Sequence, residues 1–410
     1  DELYGRPTSF FTSGSVPEGF SSDTWFAVQG RYPLPESVAD VPAASVAAAG
    51  MHLSDGETAA KVKKAFSLSA DNSVRWSLLS GNSQTNSTQS LTISGSQVTI
   101  GNEYGNETLV AANADGSCMK AFYLSVVPKA FDGDGTQAAP YLIKSKADFI
   151  TLNKAVGTYG QAHAGDFFRL ENDVDFNKAT DFNGIGVGTS NAFGGYFDGN
   201  GKTLRGLRVH TVAYEADGKA TPRGSFNYGA LFAVLSSTAT VRDLTIAADA
   251  DFDFWGYSGA LAGHNAGHII GCRNYAPVKG IYQYIGGLAG YNAAGASIED
   301  CYNAGEVKSS YGYVGGIVGQ SMGSVARSQN DGYIHATQFN DYVQQKVKDV
   351  AGGIAGQNMG SIVACVNNAT VSSDRGVGGI AGYNSAALGQ GSIKQCVSNG
   401  NVDCRGDYDT

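Results

Sequence analysis

Apolar and polar positions in the C-terminal part of the chain follow one pattern that recurs five times within residues 258–402. Each copy reads G-G-I-A-G-x-N, a short polar turn, and then S-I-x-x-C-x-N-x-G-x-V, with small variations. Successive copies start 28, 29, 37 and 26 residues apart. Recurrence at a period of this length predicts a solenoid. The second glycine of the opening pair is Gly259, Gly287, Gly316, Gly353 and Gly379.

The residue types in the copies indicate which solenoid this is. Helical repeats need apolar residues at a spacing of 3.6, whereas glycine and β-branched residues dominate here. Apolar groups such as Ile317-Val318 are bounded by Gly, Asn and Ser turns, which is typical of strands three to five residues long. A copy holds about three such strands by this pattern. We therefore predict that each copy forms one coil of a parallel β-helix.

Two columns of the repeat predict the interior. Coils stack at the inter-strand distance of ~4.8 Å, so identical side chains of neighbouring copies touch. Asparagines in one column are expected to form a hydrogen-bonded ladder, and glycines to supply corners with positive φ. The cysteines lie within reach of disulfide formation, but parallel stacking points them the same way, so free thiols are predicted. The columns are Asn274, Asn303, Asn330, Asn367 and Ser398, and Cys272, Cys301, Ser328, Cys365 and Cys396.

The copies GGLAGYN at residues 286–292 and GGIAGQN at residues 352–358 resemble the GLUG repeat of bacterial surface proteins. The motifs GT…PYLI at 135–143 and FDGNGKTL at 197–204 are similar to it as well. The resemblance covers about residues 131–402, and it implies a right-handed parallel β-helix exported to a cell surface. Such repeats occur in adhesins, in protease-associated regions and in uncharacterised lipoproteins, so the resemblance leaves the function open.

The chain before the repeats has a different sequence pattern. Residues 1–20 are rich in Ser, Gly and Pro and are predicted to be a tether. Residues 21–128 alternate apolar and polar positions between turns, a β-sandwich pattern, and they resemble a bacterial Ig-like domain with Trp76 in its core. A short helix is predicted at residues 56–66. The β-helix domain then occupies residues 129–410, so the predicted fold class is all-β.

One further helix is predicted at the start of the β-helix. Ser145 and Asp148 have the spacing of a capping box, and Gly157 is a stop signal. A helix here would cover the open strand edge and the apolar interior of the first coil. No such element follows Val402, which predicts a continuing chain or a partner over that end. The apolar face of the helix consists of Phe149, Leu152 and Val156.

Composition narrows the function classes. Only 16% of residues are charged and 56 of 410 are glycine, which suits a turn-rich β protein. The net charge of −9 argues against nucleic acid and anionic membranes as partners. No apolar run reaches the length of a membrane span. The acidic start at Asp1 resembles the region after the lipid-bearing cysteine of surface lipoproteins, so we expect an exported protein, lipid-anchored at the outer membrane or secreted.

Metal and catalytic motifs are incomplete. The segment from Asp132 to Thr136 resembles part of a calcium loop, but it lacks the full ligand set. Asp-Gly favours turns, so Ca²⁺ at Asp132 and Asp134 is kept as the alternative to a plain turn, and no other cofactor is expected. His264 and His268 lack the glutamate of H-E-x-x-H and are interpreted as turn residues. They also depart from the G-H-G turn of pectin-degrading hydrolases, although carboxylates paired across coils would still permit catalysis.

Aromatic residues precede the glycine pairs of successive copies. Residues two apart in a strand share one side, and tyrosine offers a flat apolar surface with a polar tip that suits sugar rings. The sequence therefore predicts a non-catalytic adhesion or recognition protein that binds glycans or another extracellular ligand. The alternatives are a carbohydrate-active enzyme (a polysaccharide lyase or glycoside hydrolase) and a structural stalk or pilus-type subunit, and the aromatics could equally be an ordinary internal stack. The candidate ligand-binding residues are Trp255, Tyr257, Tyr282, Tyr284, Tyr311, Tyr313 and, in an inserted segment, Tyr342.

Overall fold

A computed structural model of the chain divides into two compact units, Asp1–Ala130 and Phe131–Thr410. In the first unit it describes residues 25–26, 34–35, 45–48, 51–52, 60–62, 66–69, 74–80, 83–101, 105–112 and 119–126. In the second it describes residues 131–215, 220–222, 228–336, 349–385 and 391–405. The predicted tether at residues 1–20 lies outside these ranges. Among the described residues, no helix has the length and apolarity needed to cross a lipid bilayer.

The first unit contains two five-stranded sheets whose facing side chains form one core. Buried apolar residues from both sheets, such as Phe66 and Leu109, belong to the same cluster. Trp76 is partly buried at its border, 6.0 Å from the ring of Phe122. This is a β-sandwich, and its assignment as Ig-like stays a prediction. One sheet contains Met51–His52, Ser45–Ala48, Phe66–Ser69, Gln97–Ile100 and Leu91–Ser94; the other contains Ala60–Val62, Met119–Val126, Gly105–Ala112, Arg75–Ser80 and Ser83–Thr85; Trp25–Phe26 pairs with Leu34–Pro35.

The predicted helix at residues 56–66 is wrong. Ala60–Val62 is a strand that pairs in parallel with the end of Met119–Val126, and Phe66 begins another strand. Helix propensity in such a short segment is a weak preference that strand pairing can override. Local residue types therefore misled this assignment.

The second unit is the predicted parallel β-helix. One of its sheets, which we call sheet A, has nine strands, one from each stacked coil. Every strand pair between successive coils is parallel. A regular coil passes through five short strands, one in each of sheets A to E, instead of the predicted three. Single-residue corners and the glycine pairs divide what the sequence pattern presents as longer strands.

The strands of each sheet follow one another along the solenoid. Sheet A contains Tyr141–Ile143, Phe167–Leu170, Tyr196–Asp198, Thr240–Arg242, His268–Ile270, Ser297–Glu299, Ser324–Ala326, Ser361–Val363 and Ser392–Lys394. Sheet B contains Val174–Asp175, Thr203–Arg205, Thr245–Ile246, Arg273–Asn274, Tyr302–Asn303, Gln329–Asn330, Val366–Asn367 and Val397–Ser398. Sheet C contains Arg208–His210, Asp251–Phe254, Val278–Gly280, Val307–Ser309, Ile334–Ala336, Val371–Ser373 and Val402–Cys404.

Sheets D and E lie on either side of the glycine pairs. Sheet D contains Tyr284–Gly286, Tyr313–Gly315, Val350–Gly352 and Gly376–Gly378. Sheet E contains Phe232–Leu235, Ala262–Asn265, Ala289–Asn292, Val318–Ser321, Ala355–Asn358 and Ala381–Asn384. A separate antiparallel hairpin joins Val212–Tyr214 to Ala220–Pro222.

The predicted asparagine ladder is present in sheet B. The amide Nδ2 of Asn274 donates to Oδ1 of Asn303 at 2.9 Å, and Asn303 donates to Asn330 at 2.8 Å. Asn330 in turn donates to Asn367 at 2.9 Å. All four side chains are fully buried. The ladder satisfies buried amides, which would otherwise be costly, and it fixes the register of successive coils.

Replacement of one ladder asparagine is expected to cost more stability than the hydrogen bonds that its own amide donates, because the neighbouring amide also loses its acceptor. Asn303→Ala removes the bonds to Asn330 and to the Gly305 carbonyl, and it leaves the Asn274 amide short of an acceptor. With about 1 kcal/mol per bond and a penalty for the orphaned group, we expect a loss of about 3 kcal/mol. Denaturant unfolding measures this loss. In the matched control, Asn399→Ala removes an exposed amide that donates to Asn368, and an equal loss there would contradict the buried-ladder account.

The cysteine column consists of free thiols, as predicted. Cys272, Cys301, Cys365 and Cys396 form no disulfide, and the first three are buried. Burial raises the pKa of Cys272 to about 12 and that of Cys365 to about 11. Because the thiolate is the reactive form, these side chains act as interior packing.

Glycine supplies only some of the predicted corners with positive φ, such as those at Gly271 and Gly312. At the left-handed corner between sheets A and B, Gly271 is followed and preceded in other coils by residues with side chains, namely Asp243, Asp300, Arg327, Ala364 and Gln395. The paired glycines are required for close approach instead. A Cβ on Gly353 would lie 2.1 Å from the Gly379 carbonyl oxygen and 2.3 Å from Cγ of Asn367. The glycine pairs therefore lie directly on the asparagine ladder and on the next coil.

The predicted capping helix covers the N-terminal end of the solenoid interior. It spans Lys146–Asn153 and continues as a π-helical segment, Lys154–Thr158. Oδ2 of Asp148 accepts hydrogen bonds from the Ser145 backbone N–H and hydroxyl. Gly157 does not end the helix, because the π-helical segment carries the chain past it and Gly160 takes the left-handed conformation instead. The fully buried ring of Phe149 packs 5.3 Å from Phe176, 6.0 Å from Phe182 and 6.0 Å from Phe197.

No described residue covers the inward-facing residues of the last described coil. Ile393 and Val402 are 37% and 48% exposed, whereas their counterparts one coil earlier, Ile362 and Val371, are fully buried. A further segment or a partner over this face stays a prediction.

Candidate functional site

Four tyrosines occupy the same position in four successive coils. Tyr284 and Tyr313 are register partners in sheet D, and isolated bridges carry the same register back to Tyr257 and Tyr228. Their ring centroids are 5.6, 5.0 and 5.5 Å apart in chain order. Each ring is half-buried. We call these residues the tyrosine column.

A second column lies beside the first on sheet E. Its first four register partners are His264, Tyr291, Gln320 and Gln357, and Tyr383 follows Gln357 in the next coil. Ring contacts join the columns: Tyr228 lies 5.8 Å from His264, and Tyr257 lies 6.3 Å from Tyr291. A side-chain hydrogen bond also joins Gln320 to the Tyr284 hydroxyl. The tyrosine column and the first four residues of the second column together form what we call the tyrosine face.

Glycines of the repeat bring the two columns together. In each A-G-x-N segment of sheet E, the glycine precedes the second-column residue. A Cβ on Gly290 would lie 2.2 Å from the Ser258 backbone nitrogen, and one on Gly319 would lie 2.5 Å from that of Ile285. Both contacts are to the strand segments that carry tyrosines. A larger residue at either position would push the tyrosine column away from its neighbour.

The tyrosine face is uncharged at neutral pH. Burial raises the pKa of Tyr257, Tyr284, Tyr291 and Tyr313, so their hydroxyls stay protonated. Burial also lowers the pKa of His264, whose ring is therefore neutral at pH 7. Its buried Nδ1 has no hydrogen-bond partner among the described residues. The face thus offers neutral donors, acceptors and ring surface, with no carboxylate for acid–base chemistry.

Three of the predicted aromatics form a separate stack. Tyr282 lies between Trp255, at 6.3 Å with nearly parallel planes, and Tyr311, at 6.0 Å. Trp255 packs against the hairpin residues Val212 and Ala220, and Tyr311 is only 2% exposed. This stack is largely packing. The predicted Tyr342 lies outside the described residues.

The expectation that residues two apart share one side does not apply to these tyrosines. Gln283 has a φ of 69° and its counterpart Gly312 a φ of 97°, so the chain turns between each pair of tyrosines. The strand begins only at Tyr284. Tyr284 therefore joins the tyrosine column while Tyr282 joins the stack with Trp255.

The predicted metal residues form local contacts. Asp132 pairs with Lys144, and Oδ1 of Asp134 accepts hydrogen bonds from the backbone N–H and hydroxyl of Thr136, at 3.1 and 2.7 Å. The described residues contain no cluster of three or more His, Cys, Asp or Glu side chains placed to hold a metal ion. Calcium at Asp132 and Asp134 stays a prediction.

Two other places combine polar and aromatic chemistry. A cavity of about 270 Å³ on sheet A is lined by Phe167, Arg169, Tyr196 and Asp198, but Arg169 is already paired with Glu171. On sheet C, His210 and Arg208 contact the carboxylate of Asp251 at 2.9 and 3.6 Å. In the described solenoid, this cluster and the buried His163–Asp166 pair are two places where a histidine contacts a carboxylate.

Sequence reasoning missed five of the eight residues of the tyrosine face. His264 and His268 were predicted in turns, but both lie on strands, because their segments pair with the coils on either side. The available signal was the variable residue of the repeated G-x-N, which reads His264, Tyr291, Gln320 and Gln357 in the sequence. Tyr228 was missed because its copy is irregular. Only the register of the folded coils aligns it with Tyr257.

Similarity to known proteins lies in one sequence motif and one solved structure. No curated protein matches the sequence. A crystal structure described as a "putative immunoglobulin A1 protease from Bacteroides ovatus" aligns with 65% of this chain and 87% of its own, at 15% identity and a TM-score of 0.39. The model of the GLUG motif matches residues 281–308, a segment that contains Tyr284 and Tyr291. The resemblance to GLUG repeats is thereby confirmed, and the coil at the centre of the tyrosine face is a GLUG motif.

Proposed function

We propose that this chain is a surface recognition protein that binds glycans through the tyrosine face without cleaving them. The observation that supports this proposal is the uncharged pair of columns, in which every side chain except Gln320 is partly exposed. The GLUG motif fits a surface protein. Export to the cell surface, with or without a lipid anchor, is part of the same proposal.

The chemistry of the face suits sugars. A pyranose ring has apolar C–H faces and a rim of hydroxyls, and a tyrosine offers a flat apolar ring with one polar tip. Gln357 adds a partly exposed amide that both donates and accepts, and its Oε1 accepts a hydrogen bond from the buried amide of Gln320. Rings 5.0–5.6 Å apart are offset or tilted rather than stacked face to face, so part of each ring surface stays available.

A glycan-cleaving enzyme is the second candidate, and the cluster of Arg208, His210 and Asp251 favours it. Glycosidases need a pair of carboxyl groups at a defined separation. The tyrosine face supplies none, so catalysis would have to take place on sheet C. The appearance of cleaved products from a bound glycan, lost in Asp251→Asn, would establish this candidate instead.

The proposal is tested by a glycan array that compares the wild type with the double variant Tyr284→Ala/Tyr313→Ala. We expect binding to fall at least about tenfold, because both central rings contribute contact area and truncated aromatic anchors commonly cost more than 1 kcal/mol each. The matched control is Tyr275→Ala/Tyr302→Ala, a ring pair 5.7 Å apart on sheet B. It should keep wild-type binding.

Thermal melting separates binding from packing. The two double variants should lose similar stability, since each removes two rings that lie in contact with each other and are not buried. A far larger loss in the tyrosine-column variant would show that these rings are core. Proline-rich peptides, which also dock on aromatic grooves, belong on the same array. Binding of such peptides alone, or of no ligand as expected for a passive stalk, would overturn the proposal.

A further inference from the structure

We infer that the glycan held by the tyrosine face is an uncharged, linear chain that runs along the solenoid axis and contacts about four sugar units. This inference rests on the proposed function and names the ligand class of that site. Three features carry it: the absence of charge, the spacing of the rings, and the length of the tyrosine column.

The absence of charge selects neutral sugars. None of the eight side chains of the tyrosine face is charged at pH 7. A uronic acid or sulfated sugar would have to bring its anion against half-buried rings without a cationic partner, which is costly. The net charge of −9 adds a repulsive field to the approach of a polyanion. Neutral hydroxyls, by contrast, find donors and acceptors in Gln357 and the tyrosine hydroxyls.

The spacing of the rings sets the direction of the chain. Each coil presents one tyrosine, and successive centroids lie 5.0–5.6 Å apart along the stack. One sugar unit of an extended glycan has a similar length. A linear chain along the axis can therefore meet one ring per unit, whereas a chain across the coils would meet one or two rings and then leave the face.

The length of the tyrosine column sets the number of units. Tyr228 is its first ring, and the register partner that follows Tyr313 is Val350, followed by Gly376. Neither offers a ring. The second column continues past Tyr291 as the amides of Gln320 and Gln357, and its next ring, Tyr383, lies three coils beyond Tyr291. Four rings in line therefore define about four contacts.

Calorimetry with oligosaccharides of defined length tests the inference on the full chain. The neutral probes are cello-, xylo- and manno-oligosaccharides of two to seven units, and the charged probes are oligogalacturonates of the same lengths, all at pH 7 and low salt. In at least one neutral series, affinity should rise with each unit up to about four and then level off. The charged series should bind at least tenfold more weakly.

Variants at the end of the tyrosine column test the unit count. Tyr313→Ala should shift the plateau from about four units to about three, while the control Tyr302→Ala on sheet B should leave it in place. A simple loss of fold stability would lower affinity at every length without moving the plateau.

Failure of the inference differs from failure of the proposed function. If the array shows binding at the tyrosine face but charged oligosaccharides bind more tightly than neutral ones, the inference is wrong and the function stands. The same holds if a disaccharide binds as tightly as a hexasaccharide, or if the plateau ignores Tyr313→Ala. If neither the array nor any oligosaccharide shows binding, both are wrong.

Discussion

Ile354→Asp is expected to destroy the folded structure of the coils around it. Ile354 is fully buried, in the segment that follows the Gly352–Gly353 pair. The substitution removes about 2 kcal/mol of apolar burial and places an unpaired carboxylate in the interior at a further cost of several kcal/mol. Together these losses approach the whole stability of an ordinary domain, about 5–15 kcal/mol.

Thermal melting and hydrogen exchange measure this effect. The matched control is Val363→Asp in the same coil, since Val363 is only partly buried on sheet A while its neighbour Ile362 is fully buried. The control should change the melting temperature by a few degrees at most, because a partly exposed carboxylate stays hydrated. Wild-type melting of Ile354→Asp would refute the inward position of this column.

Gly353→Ala should rank second in effect, although it adds only one methyl group. The new Cβ would meet the Gly379 carbonyl oxygen at 2.1 Å and the amide of Asn367 at 2.3 Å. Neither group can withdraw, since one is backbone of the next coil and the other is a rung of the ladder. Overpacking of this kind commonly costs about 1–3 kcal/mol, and we expect a loss of about 3 kcal/mol.

Gly376→Ala provides the control for this glycine. A Cβ there would meet only side-chain atoms of Val350, the nearest at 3.1 Å, and its φ is not positive. A methyl group of Val350 would have to shift by a few tenths of an ångström to admit this Cβ, whereas at Gly353 the backbone itself would have to move. The change from glycine to alanine also commonly contributes about 0.4–1 kcal/mol of stability through the unfolded state, which offsets the cost of that shift. The denaturant midpoint should therefore fall much less for Gly376→Ala than for Gly353→Ala. Equal falls would show that the glycine pair has no packing role.

The repeat columns could be predicted because β-helix stacking leaves no freedom of register. Once the period is known, Cys301 must lie over Cys272 and Asn303 over Asn274. Burial and hydrogen bonding of both columns then follow from chemistry alone. The capping helix was predictable for a similar reason, because Ser145 and Asp148 mark its start locally.

The branching of the aromatic residues into two groups could not be predicted. A left-handed Gln283 is an uncommon state for a residue with a side chain, and no pattern of apolar residues signals it. The only hint was the glycine at the equivalent position of the next copy, Gly312. The role of the glycine pairs could not be predicted either. A close approach of two backbones and a backbone with positive φ both favour glycine, so the sequence does not distinguish them.

His264 shows how a short-range pattern can conceal a long-range one. Its four-residue spacing from His268 invited comparison with metal and catalytic motifs, whereas its structural neighbour is Tyr291, 5.0 Å away in the next coil. Contacts in a solenoid join residues about one period apart. Local motifs therefore carry less information here than aligned positions of successive copies.

Because each of these coils contributes one tyrosine to the tyrosine column, the length of the column depends on how many such copies the gene encodes. Arrays of this kind have stabilities close to a sum of coil and neighbour contributions, so an inserted copy that matches its neighbours does little harm. An in-frame duplication of the codons for residues 280–308, one full period of 29 residues, would continue every ladder and add one tyrosine to each column. Unequal recombination between copies can thus lengthen or shorten the face in whole steps, and lineages can adjust its reach without altering a single contact.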